Sequence, residues 1–114
     1  MFIEQQFKTL TSPWFKFYLS YNPIPVLEKV NCPVLALNGG NDLQVPAKQD
    51  LSEIEKALKE GHNKDFKVEE LPGLNHLFQP SETGKISEYA KIEETFSPKA
   101  LKIIGDWIKK VVKK

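Results

Sequence analysis

Along residues 33 to 112 the spacing of apolar positions shifts repeatedly, and each shift marks the boundary of an element. Val34-Leu35-Ala36-Leu37 is an unbroken apolar run, the pattern of a strand covered on both faces in a parallel sheet. Asn38-Gly39-Gly40-Asn41-Asp42 is dense in turn formers, so a strand over about 33–38 ends there. Pro46 then opens a helix whose apolar positions Leu51, Ile54 and Leu58 recur by threes and fours, with Gly61 as its C-terminal cap. Phe66-Lys67-Val68-Glu69-Glu70-Leu71 alternates imperfectly, as an edge strand with one wet face would. Pro72-Gly73 stops that strand. Residues 73–96 read as an irregular excursion with a short helix around 87–94, and a connection of that length in a small domain usually carries function. Ser97-Pro98 starts a last helix, in which Leu101, Ile104, Ile108 and Val111 recur at helical spacing with Trp107 alongside.

The first 22 residues have a different texture. Phe2, Phe7, Trp14, Phe15, Phe17, Tyr18 and Tyr21 crowd around Ser12-Pro13. A serine N-cap followed by proline at the first helical position predicts a helix over about 13–19, whose aromatic stripe should pack against other protein. Pro23 and Pro25 break it, and Val26, Leu27 and Val30 form a short helical turn before the first strand. Segment 1–22 is thus set apart from a unit spanning 23–114. The fold class is α/β: two parallel strands, about 33–38 and 66–71, flanked by helices in an incomplete sheet.

Composition narrows the field further. A chain of 114 residues, 40% apolar and 27% charged, suits one globular domain. Sixteen lysines and arginines against fifteen acids leave a net charge of +1, no field to draw nucleic acid or an anionic membrane. No apolar run approaches membrane-spanning length. Lys109, Lys110, Lys113 and Lys114 read as a solvated helix end. Cys32 is the only cysteine, which excludes an internal disulfide and suggests a small buried residue rather than a reactive thiol. No secretory leader opens the sequence, and that absence carries no weight if residues precede Met1; the compartment is unread.

Candidate chemistry gathers where the two strands end. Loops beyond the carboxyl ends of parallel strands are where such sheets place reactive groups. Asp42 follows the first strand and His76 follows the second, so adjacent parallel strands would bring them together. An aspartate there can accept the proton-bearing ring nitrogen of a histidine, fix its tautomer and stabilise the imidazolium. Taken alone, Asp42 is also an ordinary turn residue and His76 an ordinary loop histidine. Other constellations are poorer. His62 lies in a polar turn; Glu69-Glu70 and Glu93-Glu94 are sequence neighbours and therefore splayed. Gly39-Gly40 lacks a phosphate-loop pattern, and no metal-ligand spacing exists. No cofactor and no metal are implied.

Residues 33–46, Pro-Val-Leu-Ala-Leu-Asn-Gly-Gly-Asn-Asp-Leu-Gln-Val-Pro, resemble the acid-bearing segment of α/β-hydrolases, and Leu71-Pro72-Gly73-Leu74-Asn75-His76-Leu77-Phe78 resembles their histidine loop. The order acid then histidine is the family's. The likeness covers about residues 23–112 and is nearest to the esterase and serine-peptidase branch that includes dienelactone-hydrolase-like and acylaminoacyl-peptidase-like enzymes. It implies that the chain is the C-terminal part of such a fold, with Asp42 and His76 as catalytic acid and base, and residues 1–22 as the end of a cap region. The family's G-x-S-x-G nucleophile elbow is absent, since none of Ser12, Ser20, Ser52, Ser81, Ser87 or Ser97 follows Gly-x. Without a nucleophile there is no covalent route, so the expectation is a serine-hydrolase fragment inactive by itself. Its ester or amide substrate, a small molecule or peptide, would be met partly by Trp14, Phe78 and Tyr89. The rival expectation is a self-standing, non-catalytic binding module on the same scaffold. In either case the unpaired edge of the first strand is expected to form a homodimer.

Overall fold

The computed structural model describes residues 2–113. Two short helices come first, α1 (Phe2–Leu10) and α2 (Pro13–Ser20), then a single turn, α3 (Ile24–Leu27). Strand β1 (Val34–Gly39), helix α4 (Ala47–Glu60) and strand β2 (Phe66–Leu71) form a βαβ unit, followed by a 3₁₀ turn (Ile86–Lys91) and helix α5 (Pro98–Val112). The strands are parallel and paired without a bulge from Val34↔Phe66 to Gly39↔Leu71. Both expected strands and the three longer helices read from the sequence are present. The first helix, α1, has no counterpart in the sequence reading.

Local chemistry accounts for the boundaries. The Ser12 hydroxyl accepts the Phe15 amide at 3.2 Å and Pro13 opens α2; likewise the Ser97 hydroxyl accepts the Ala100 amide and Pro98 opens α5. At the far end of α4 Gly61 is the C-terminal cap, as expected. Gly61 has an ordinary backbone, φ −81°, whereas His62 adopts the left-handed conformation at φ 62°. The amides of His62 and Asn63 return to the carbonyls of Lys59 and Leu58, which is the Schellman closure. Gly61 is required for a different reason: a Cβ there would run into the carbonyl of Glu28, behind α3. Asn63 completes the junction, its side-chain amide donating to the carbonyls of Val30 and Cys32.

Side chains alternate across the sheet. Leu37 packs with Leu71, Leu74, Ala100 and Ile103 against α5, leaving the even-numbered positions of β1 and β2 for α4, which contributes the buried Leu51, Ala57 and Leu58. Val34–Leu37 faces a helix on each side yet is only half-buried, because among the described residues β1 has a neighbouring strand on one edge only. One expectation fails here. Cys32 is exposed, not buried, since it lies in the turn ahead of β1. Among the described residues nothing covers the aromatic stripe of α2: Trp14, Phe17, Tyr18 and Leu19 are exposed, and the ring contacts are among neighbours, Trp14 stacking on Tyr18 at 5.8 Å.

Candidate active site

The acid loop begins as a direct continuation of β1. Gly39 ends the strand and Gly40 donates its amide to the Leu71 carbonyl at 2.8 Å, while Asn41 donates to the Leu74 carbonyl at 2.9 Å. The loop after β1 is therefore stitched to the loop after β2. Gly39 permits the closest approach, for a Cβ there would strike the carbonyls of Leu74 and Asn75.

Asp42 is fixed by both of its oxygens. Oδ1 accepts the amides of Gln44 at 2.8 Å and Val45 at 2.9 Å, a turn in which aspartate satisfies the backbone ahead of it. Oδ2 lies 2.8 Å from His76 Nδ1. The Asp42 side chain is 5% exposed, against 39% for His76. Burial pulls the carboxyl upward, but the His76 hydrogen bond and the two amides outweigh it, so Asp42 titrates below the ordinary aspartate value. An ionised carboxylate can only accept, so Nδ1 carries the proton and the neutral ring keeps Nε2 as its free acceptor. This is the tautomer a general base needs.

The histidine loop is organised around Asn75, which is fully buried. Its side-chain oxygen accepts the amides of Leu77 at 2.9 Å and Gln79 at 3.0 Å, and its amide group donates to Gln79 Oε1 at 3.1 Å. The backbone doubles back, with a bridge between Leu74 and Pro80. His76 is thereby held at the tip of a loop whose interior is one asparagine.

The excursion that follows is tied to the acid loop. Asn41 donates its side-chain amide to the Ser81 carbonyl at 2.6 Å. Gly84, at φ 76°, sits so tightly beneath Asn41 that a Cβ would strike the Asn41 carbonyl. Glu88 gathers the segment: its carboxylate accepts the Ser81 hydroxyl, the Glu82 amide at 3.0 Å, the Thr83 amide at 3.2 Å and hydroxyl at 3.0 Å, and the Gly84 amide at 3.3 Å. The Ser81 hydroxyl, then the amides and the Thr83 hydroxyl, hold the Glu88 carboxyl down to about 2.

Of the side chains expected to meet substrate, Tyr89 joins the acid loop, its hydroxyl accepting from Gln44 Nε2 at 3.1 Å. Phe78 turns inward. Its ring lies 5.5 Å from that of Phe96 and packs on the Leu71, Leu74 and Ala100 cluster. Trp14 stands 67% exposed on α2. The sequence reading passed over Asn41, Gln44, Asn75, Ser81 and Glu88. Asn75 could have been flagged by its place immediately before His76, because Asx side chains cap neighbouring amides. Glu88 had no local signal; its partners come from a turn that the sequence pattern does not reveal.

Parallel strands joined by a crossover helix, with the Asp42 and His76 loops at their carboxyl ends, are consistent with a partial α/β-hydrolase fold. The dienelactone hydrolase family model matches residues 15–110, and the chain belongs to that family. The match begins inside α2, upstream of where the sequence likeness was placed. No curated protein and no solved structure matches the chain.

Proposed function

We propose that this chain supplies the acid and the general base of a serine hydrolase of ester or amide bonds, Asp42 and His76 being two members of a Ser-Asp-His triad. The observation that supports this most directly is the 2.8 Å contact between His76 Nδ1 and Asp42 Oδ2 beyond adjacent parallel strands. The sequence has no G-x-S-x-G elbow, so the serine would come from polypeptide outside these 114 residues.

In that arrangement His76 Nε2 takes the serine hydroxyl proton as the oxygen attacks the substrate carbonyl. Asp42 stabilises the imidazolium without itself being protonated. His76 then gives the proton to the departing alkoxide or amine, and a water deprotonated by the same nitrogen releases the acyl group. The exposure of His76 leaves Nε2 open to such a partner. Tyr89, hydrogen-bonded to the acid loop, would border the substrate, a small molecule or peptide.

Turnover tests this reading. Alone, the chain should hydrolyse p-nitrophenyl acetate no faster than its His76→Ala variant. Combined with the polypeptide that carries the serine, it should give an enzyme that loses about 10⁴-fold in kcat on Asp42→Asn, the scale of losing the correct tautomer in a triad. A combined enzyme indifferent to Asp42→Asn and His76→Ala would sink the proposal.

A second reading, a non-catalytic binding module, draws support from the exposed aromatic side chains of α2. It expects partner binding that Trp14→Ala abolishes and His76→Ala leaves intact.

A further inference from the structure

The 3₁₀ turn Ile86–Lys91 holds two neighbouring residues that reach the acid loop by separate routes. Glu88 gathers Ser81, Glu82, Thr83 and Gly84 around one carboxylate. Through the Ser81 carbonyl that segment accepts the side-chain amide of Asn41, and Gly84 lies against the Asn41 carbonyl and the Leu43 side chain. Asn41 and Leu43 flank Asp42 on either side. Tyr89 accepts from the Gln44 side chain, and the Gln44 amide in turn donates to Asp42 Oδ1. Every stretch of the acid loop from Asn41 to Gln44 is thus backed by something that Glu88 or Tyr89 holds.

Charge makes Glu88 the stronger of the two. A carboxylate accepting several hydrogen bonds from backbone and hydroxyl donors is a charge-assisted knot, about twice the strength of neutral bonds. Five donors converge on it from four consecutive residues, which no neutral side chain could match, since an amide has a single acceptor oxygen. The segment it closes is otherwise without regular structure, so its shape depends on that knot.

We infer that Glu88 is a positioning residue for the Asp42–His76 pair, holding the 81–84 segment against Asn41 so that the Asp42 carboxylate keeps its aim at His76 Nδ1, with Tyr89 bracing the same loop through Gln44. The inference rests on the triad reading for its functional meaning, and its test is made on the pair itself. Removing Glu88 loosens the floor under Asn41, the carboxylate loses its fixed direction, and the ring returns toward the Nε2–H tautomer that predominates in free histidine.

The experiment reads the His76 tautomer by imidazole ¹⁵N chemical shifts in the full chain at neutral pH, in wild type, Glu88→Ala, Glu88→Gln and Asp42→Asn. Asn63→Ala serves as a control, because it weakens the α3–β1 junction at the opposite end of the sheet. The expected result is a predominantly Nδ1–H ring in wild type and in Asn63→Ala, and a fall in that fraction of at least two-fold in both Glu88 variants. Glu88→Gln keeps the shape and one acceptor, so it remains informative should Glu88→Ala fail to fold. An unchanged tautomer in the Glu88 variants overturns the inference, as does an equal loss in Asn63→Ala. If Asp42→Asn itself leaves the ring unchanged, the fault lies instead with the pair, and the triad reading falls together with the role of Glu88.

Discussion

The α-carbon of Gly39 lies so close beneath the carbonyl of Asn75 that no side chain fits between them. The end of β1 and the residue before the histidine are therefore in backbone contact, and the geometry of the pair is set by the absence of one methyl group. Gly39→Ala should force the two loops apart, costing about 1–3 kcal/mol as overpacking does. Chemical denaturation checks the loss, and the His76 tautomer shows whether the pair opens with it.

Asn75→Ala removes a fully buried side chain with three hydrogen bonds, leaving the amides of Leu77 and Gln79 without acceptors. Each stranded amide costs about 1–3 kcal/mol, so a loss of about 2–6 kcal/mol is expected for the two. Urea titration followed by circular dichroism measures it. A loss below about 1 kcal/mol would mean that the loop does not depend on this residue.

Acid should weaken the protein in a defined window. The Glu88 carboxyl is held at about 2 in the folded chain against an ordinary 4.5, and Asp42 is likewise lowered from 3.8. A carboxyl with a depressed folded value binds protons more readily when unfolded, so its contribution is complete above the ordinary value and is lost as pH falls toward the folded one. Melting temperature should drop between pH 4.5 and about 2, and Glu88→Gln should fall less steeply there than wild type. Asp106, which is also lowered, is common to both proteins and cancels in the comparison. Parallel wild-type and variant curves would show that the knot adds nothing to stability.

Strand β1 has β2 on one side and, among the described residues, no strand on the other. Its free edge presents unpaired backbone donors and acceptors, a template for another strand. We expect a two-fold dimer in which β1 edges pair antiparallel into a four-stranded sheet, with α1 and α2 over the exposed core. Light scattering at micromolar concentration should give twice the chain mass, and Leu35→Pro, which removes a ladder donor, should give a monomer. Addition of the serine-bearing polypeptide should dissolve the dimer by claiming the same edge.

The sheet and its flanking helices were legible because their signals are local and periodic. The run Val34–Leu37, the spacing of Leu51, Ile54 and Leu58, and the Ser-Pro starts at 12–13 and 97–98 each state an element on their own. Asp42 and His76 are legible as a pair because adjacent parallel strands deliver both of their loops to one end of the sheet. What escaped notice depends on contacts across the chain. How deeply Val34–Leu37 is buried depends on a neighbouring strand, not on its own residues. The inward turn of Phe78 follows from its left-handed backbone, φ 59°, which no pattern announces. Glu88 looks like any surface acid until Ser81–Gly84 is folded around it. Gly61 is legible as a helix cap, but the close approach of the Glu28 carbonyl to it is not, because Glu28 reaches it from the segment before β1.

Cys32, exposed in the turn ahead of β1, gives the molecule a built-in measuring point. It is the only thiol in the sequence, and its carbonyl is anchored by Asn63 at 2.9 Å, so a probe attached there has a rigid root. Six strand residues separate it from the acid loop, about 20 Å at the rise of an extended chain. A maleimide dye or nitroxide at Cys32 would sit at the far end of the strand from Asp42 and His76, free to report the arrival of a partner strand along β1 without disturbing the pair.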